Sequence, residues 1–354
     1  MELTQEKLTE QIDKHCENIL NGIDENISLL KGPITNFYQK ELLPYLTTLI
    51  KIEHSKVNEQ ELFDSSTDEI AKNGYILEQS IKSKHIIKEI KKDFRNLVGR
   101  WAYQSEIVKR AFEKPKGYPG DYELLEIIYN NTPVTQKNNK IGYCFDKFFL
   151  KNELAVAVRE RKDKMKELLK VRLISSRNTG TNILNFASGS IREIRELLTE
   201  LNIEKRVKFI CVDLDEEALD YSKRLIKSQK NIEFSFLKED IIKISLNNTQ
   251  TIPIKNQDII YSIGLIDYLP DRVMKSFISF SYNLLKPNGQ FILSHKDQAK
   301  YNPLVQDWFC DWTFYRREKH RVVNLIEEAG IPSSMIKLVP LKTESVYYII
   351  IDKE

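Results

Sequence analysis

Asp213 is the residue from which a chemistry can first be read. It closes the apolar run Val207-Lys-Phe-Ile-Cys-Val-Asp213 and lies 24 residues after Gly189. Gly189 follows another apolar run, in which Ile183, Leu184, Phe186 and Ala187 read as a short buried strand. Ala187, Ser188 and Gly189 then form a small-residue turn, and Ser190 is placed to cap a helix running to Leu198. A strand, a turn without bulky side chains and a helix N-terminus let a ligand approach the backbone and meet unpaired N–H groups. A carboxylate about 20 residues further on suits the two hydroxyls of a ribose. A purely structural strand–helix turn would carry the same small residues, and the full glycine fingerprint is absent. The pattern repeats, however. A third run, 231–236, leads to Asp240 and Ile241, and a fourth, 258–264, ends in Ser262 and Gly264. Each strand end carries a small or acidic residue, at the edge where open parallel sheets bind ligands. Nucleotide binding is the expectation.

Composition narrows the class. The chain has 354 residues, enough for about two domains, with 41% hydrophobic and 30% charged residues. The 54 Lys and Arg against 51 Asp and Glu leave a net charge of +3, so no nucleic-acid partner is expected. The four cysteines and five histidines are scattered, with no metal-ligand or redox spacing, and no metal is expected. No apolar run reaches the length of a membrane span, and the N-terminus is polar. A cytoplasmic protein is expected, and a homodimer is compatible with the sequence.

The elements that must position these residues follow from periodicity. Leu3 to Leu30 has helical spacing. A second amphipathic segment runs from Ile34 to Ile50, and 65–68 offer caps for a long helix. The late stripe of that helix is Ile87, Ile90, Phe94, Leu97 and Trp101. Two prolines and two glycines in 115–120 fix a loop that presents Tyr118, Asp121 and Tyr122. That loop reads either as a rigid turn between helices or as an active-site lid. The polar stretch 131–140 is the expected boundary between an all-helical domain or cap, 1–135, and an α/β domain, 136–354. Within the latter, 152–174 is a helix feeding the first strand, 271–285 a helix, 286–289 a turn and 290–295 a fifth strand. A helix within 315–329 and two strands, 335–339 and 345–351, complete the chain. Nothing helical separates the last two strands, so they are antiparallel.

Dinucleotide dehydrogenases and S-adenosylmethionine methyltransferases share the strand–turn–helix and the ribose carboxylate, and an added antiparallel edge strand is the methyltransferase arrangement. Leu284-Leu-Lys-Pro-Asn-Gly-Gln-Phe291 resembles the "LLKPGG" element of class I methyltransferases, and Asp240-Ile241 their adenine-contacting pair. Residues 116–123, 258–269 and 311–316 resemble one bacterial subfamily, the extracellular-factor (3-hydroxypalmitic acid methyl ester) biosynthesis methyltransferases. The likeness covers about 85–351. It departs at the turn, which reads Ala187-Ser188-Gly189-Ser190 where the subfamily has "ACGP", and at Asn185, where an acid is usual. The resemblance implies a seven-stranded Rossmann-like sheet and S-adenosyl-L-methionine as cofactor.

Roles then follow from position. Asp213 would take the ribose hydroxyls, Leu214 pack on adenine, Asp240 accept from the adenine amino group, and Ile241 lie beside the ring. Asn185 and Ala187 to Gly189 would hold the methionine part, Ser262 and Gly264 line the sulfonium, and Tyr118 and Asp121 close over it. Tyr122, Tyr268 and Trp312 are substrate-facing candidates. A carboxylate acceptor such as a hydroxy or fatty acid needs no base at neutral pH, only donors to orient it, and Tyr315 and Arg316 are of suitable type. An amine or hydroxyl acceptor needs proton removal, for which His295 at the end of the fifth strand is placed. A cofactor-binding regulator without transfer is the remaining alternative.

Overall fold

The computed structural model describes residues 5–22, 30–57, 59–175, 180–227, 229–247, 254–302 and 304–354. They divide into two compact units. One comprises Met1–Pro119, Asn131–Asn152 and Pro303–Thr313, the other Gly120–Asn130, Glu153–Asn302 and Phe314–Glu354.

The first unit is helical throughout its described elements: Gln5–Asn21, Lys31–His54 with a π turn at Phe37–Leu42, Gln60–Ser80, Lys84–Ala102, Glu106–Glu113, Lys140–Lys151 and Leu304–Cys310. The helix expected over Leu3–Leu30 is present as Gln5–Asn21, and residues 1–4 and 23–29 lie outside the described residues. Residues 65–68 start no helix. They sit inside Gln60–Ser80, whose buried face (Phe63, Thr67, Ile70, Ala71, Gly74, Leu77) runs across them at helical spacing. The aromatic stripe belongs to a separate helix, Lys84–Ala102, capped by Ser83, whose hydroxyl accepts from the Ile86 N–H at 3.4 Å. Every residue of Leu304–Cys310 is buried. The Trp308 ring lies 5.3 Å from Phe37 and 5.2 Å from Phe94, and Lys91 bridges Glu78 and Asp307 at 2.7 and 2.6 Å.

The second unit holds a seven-stranded sheet. Its strands are β1 (Gly180–Phe186), β2 (Arg206–Asp213), β3 (Ile232–Lys238), β4 (Gln257–Ser262), β5 (Leu285–Lys296), β6 (Ile336–Pro340) and β7 (Val346–Asp352). The order is β3-β2-β1-β4-β5-β7-β6. The first five strands are parallel, and β7 is antiparallel to both neighbours. The strand order reverses between β1 and β4, the position at which such sheets open a ligand crevice. Apolar residues on both faces explain the long β-branched and aromatic runs. Phe186, Phe277 and Phe291 pack on one face, and Ile183, Phe209 and Tyr261 on the other.

The expected turn at 286–289 is instead an irregular start to β5. The pairing register with β4 shifts between Gln257 and Ile259, and Asn288 takes a φ of 61°. A Cβ on Gly289 would meet the Lys286 carbonyl at 2.8 Å and that of Gln257 at 3.0 Å, so only glycine fits there.

Candidate active site

The site grows from the turn after β1. Ala187, Gly189 and Ile191 take φ values of 52°, 55° and 46°, a left-handed conformation that disfavours the two residues with side chains. Ser190 does not cap the helix. The helix begins at Arg192, behind an Ile191 that makes no side-chain cap. The Ser190 hydroxyl donates to Glu126 at 2.6 Å instead. Glu126 ties Ser190 to the helices beside the turn, because Arg195 at 2.6 Å, Arg192 at 2.8 Å and the Tyr221 hydroxyl at 3.0 Å donate to the same carboxylate. Burial opposes its ionisation, but the Ser190 hydrogen bond and the two guanidiniums hold the carboxyl below its usual range. The only sequence signal was an acid on the buried face of Tyr122–Asn130, between Leu124 and Ile128.

Asp213, at the end of β2, turns its carboxylate into this turn. One oxygen accepts from the Gly189 N–H at 2.7 Å and the other from Asp215 N–H at 2.9 Å. Burial raises its pKa, partly offset by those N–H groups. Leu214 beside it is 59% exposed, an apolar side chain left bare at the sheet edge. Asp240 accepts from the Lys243 N–H at 3.0 Å and so caps Ile241–Asn247, with Ile241 buried. Asp121 caps Tyr122–Asn130 through the Leu124 N–H at 3.0 Å, and the Tyr122 ring lies 5.3 Å from Tyr221. The Asn185 amide donates to Glu193 at 3.3 Å, and Tyr261 donates to the same Glu193 at 2.7 Å.

Beyond β4 the surroundings become cationic. Gly264 has a φ of 122°, and the buried Arg161 guanidinium lies 2.9–3.1 Å from where its Cβ would be. Lys296, at the end of β5, pairs with Asp267 at 2.8 Å and stacks over the Phe314 ring at 3.6 Å. Burial works against the Asp267 carboxylate, yet the charge and the two hydrogen bonds of Lys296 hold its pKa down at about 2. His295 is 0% exposed with both ring nitrogens engaged. Arg317 can only donate, so Nε2 accepts from it at 3.3 Å, and Nδ1 then carries the proton and donates to the Lys296 carbonyl at 2.6 Å. Burial lowers the histidine pKa, with the like charges of Arg317 and Lys296 adding to the effect against the pull of Asp267, and a ring whose Nε2 accepts from Arg317 is neutral. Arg317 is itself buried and pairs with Asp271 at 2.8 Å and with the Leu269 carbonyl. Arg161, Asp267, Lys296 and Arg317 carry this end of the site, and none was singled out from sequence. Each acquires its meaning only through partners far along the chain.

Of the acceptor candidates, Tyr315 is 48% exposed and Arg316 is also exposed, with the Tyr315 N–H bonded to the Asp267 carbonyl at 2.8 Å. Tyr268 is half-buried, 5.3 Å from Phe314. Tyr118 and Trp312 belong to the helical unit, where Tyr118 is partly exposed and Trp312 buried.

The parallel strands bring Ala187 to Gly189, Asp213, Leu214, Asp240, Ser262 and Gly264 to one edge. These residues fit a nucleoside with an amino-acid tail. Among the described residues the Ser188 and Ser262 hydroxyls are buried without a hydrogen-bond partner, the space beside Gly189 holds no neighbouring atom, and an exposed leucine adjoins a buried carboxylate.

Residues 177–344 match the model of a family described as a methyltransferase domain. A possible exported protein from Bordetella parapertussis shares the fold with a TM-score of 0.55 at 17% identity, over 83% of this chain and 96% of that one. Magnesium protoporphyrin IX methyltransferase from Synechocystis, solved with bound S-adenosylmethionine, aligns with a TM-score of 0.41 at 11% identity, over 57% of this chain and 85% of that one. A Campylobacter jejuni DNA ligase is 26% identical over 164 residues, which is 42% of this chain, and the match spans only 24% of the ligase. No helix among the described residues is long and apolar enough to cross a membrane. With the sheet order, the acid-ended parallel strands and the antiparallel β7 already in place, the family match makes residues 177–344 a class I S-adenosyl-L-methionine-dependent methyltransferase domain.

Proposed function

We propose that the chain methylates a small-molecule carboxylate, a hydroxy or fatty acid, at oxygen. The observation that carries this reading is the state of His295. It is the histidine at the end of β5, it is neutral, and both of its nitrogens are committed, so it offers no general base for an amine or hydroxyl. A carboxylate is already ionised at neutral pH and requires only orientation. The cationic surroundings of β4 and β5 favour such an acceptor, and so does the resemblance of 116–123, 258–269 and 311–316 to the methyl ester-forming subfamily.

The cofactor supplies an electrophilic methyl group on a sulfonium. On this reading Asp213 binds the ribose hydroxyls, exchanging its bond to the Gly189 N–H for them, and Leu214 packs on the adenine. Asp240 and Ile241 hold the adenine edge. Ala187 to Gly189 take the amino-acid part, and Ser262 and Gly264 line the reacting centre. Asn185 gives its amide N–H to Glu193, and its amide oxygen accepts from the ligand ammonium. Tyr315 and Arg316 orient the acceptor. A methyl-transfer screen against acids, amines and phenols with mass detection tests the proposal. Ester products from acids are expected, and N-methyl or ether products with no ester would refute it.

A further inference from the structure

Arg161 lies in helix Glu153–Ser175, is only 6% exposed, and packs its guanidinium against the Gly264 turn after β4. Among the described residues no carboxylate lies within ion-pair distance of it, and its Nε has no hydrogen-bond partner. Its side-chain partner is a neutral one, the Tyr129 hydroxyl. The acids nearby are taken: Glu193 by Asn185 and Tyr261, and Asp267 by Lys296 through both its ammonium and its N–H. A second cation presses on it. Burial lowers the Lys296 pKa to about 8 against the pull of Asp267, with the like charge of Arg161 contributing. A guanidinium cannot shed its proton to escape burial, so a buried and unpaired one calls for an anion from outside the chain. The Ser262 hydroxyl, two residues before Gly264, is likewise buried without a partner among the described residues.

We infer that Arg161 is the seat of a ligand carboxylate beneath the β4 turn, with its planar fork matched to the two carboxylate oxygens. This deepens the reading of the edge as a cofactor and acceptor site and rests on it. The carboxylate belongs either to the amino-acid part of the cofactor or to the acceptor, and the experiment separates the two.

Calorimetry on the full chain would compare S-adenosylhomocysteine with 5′-methylthioadenosine, which keeps the nucleoside thioether but lacks the carboxylate. A third titration would use 3-hydroxypalmitate in saturating S-adenosylhomocysteine. If the seat holds the cofactor, Arg161→Gln weakens S-adenosylhomocysteine about 10- to 100-fold, the range for charge-assisted hydrogen bonds, and leaves methylthioadenosine unchanged. If it holds the acceptor, both nucleosides bind normally and the hydroxy acid loses affinity by a similar factor. Equal weakening of both nucleosides would overturn the seat, since Arg161 would then shape the nucleoside pocket. Unchanged binding of S-adenosylhomocysteine and of the acid would overturn it too. Failure of wild type to bind methylthioadenosine would mark a failure of the nucleotide reading itself, and the seat falls with it. Arg161→Lys, which keeps the charge but not the fork, and the wild-type preference for S-adenosylhomocysteine over methylthioadenosine keep the test decisive should Arg161→Gln not fold. In either case, no preference for the carboxylate-bearing ligands refutes the proposal.

Discussion

Replacing Glu126 by glutamine would preserve the shape of the side chain while removing the charge that four donors share. In wild type the carboxylate accepts from Ser190 and Arg195 at 2.6 Å, from Arg192 at 2.8 Å and from Tyr221 at 3.0 Å. The glutamine keeps one acceptor and turns an NH2 group toward two guanidiniums. Breaking a buried ion pair costs about 3–5 kcal/mol, and partial exposure of Arg192 and Tyr221 lets water take part of the loss, so we expect about 2–4 kcal/mol of destabilisation. Urea unfolding of Glu126→Gln measures it. The same substitution weakens the tie through Ser190 on the turn at Ala187–Ile191, so cofactor affinity falls even where the variant is fully folded. The pH dependence has a fixed sign. The folded Glu126 pKa lies below the ordinary value, so its stabilisation is complete above that ordinary value and fades as pH falls toward the folded one. Wild type therefore loses stability on acidification through that window, and Glu126→Gln loses less. Unchanged urea stability together with unchanged S-adenosylhomocysteine affinity in the variant would refute the role given to Glu126.

Other outcomes follow from the same contacts. Asp213→Ala should weaken S-adenosylhomocysteine by about 1.5–3 kcal/mol in calorimetry, the value of hydrogen bonds to a charged group. Normal affinity in a folded variant would place the nucleoside elsewhere. Arg316→Lys should slow methyl transfer without changing cofactor binding, since lysine lacks the bidentate fork. In the same assay His295→Ala should leave turnover of an acid nearly unchanged, whereas a loss of about 10²–10⁴-fold would make it a base. Gly289→Ala should lower the denaturation midpoint, because a Cβ would sit 2.8 Å from the Lys286 carbonyl; an unchanged midpoint would show that the β4–β5 irregularity yields easily.

The sheet was legible because its strands are continuous apolar runs that end in small or acidic residues, and that pattern depends on neighbours in sequence. The carboxylates at 213 and 240 stand out as strand-end acids for the same reason. Ser190 was misread as a cap because nothing local shows that Glu126, 64 residues earlier, claims its hydroxyl. Residues 65–68 carry good capping chemistry, but the buried stripe of Gln60–Ser80 passes through them and overrides it. Arg161 looks like one more charge in a lysine-rich helix, and its burial depends on Gly264 and Tyr129. His295 was recognisable as a histidine at a strand end, yet its neutrality depends on Arg317, 22 residues on. Chemistry carried by a single residue at a strand end can be read from the chain. Chemistry carried by a pairing across elements cannot.

The helical unit draws one of its central helices, Leu304–Cys310, from beyond β5. During synthesis, therefore, Phe37 and Phe94 leave the ribosome long before Trp308 and Phe309, the rings that cover them. Until then the Lys91 ammonium lacks Asp307, and the groove at Gly74, where the indole comes within 3.0 Å of the Cβ position, stands open. A unit whose first residues must wait for nearly the last sixth of the chain has a long loop to close and an apolar surface to shield meanwhile. A nascent chain stalled before residue 303 would be a client for chaperones, and excising the first 152 residues as a fragment would yield a core with its keystone missing.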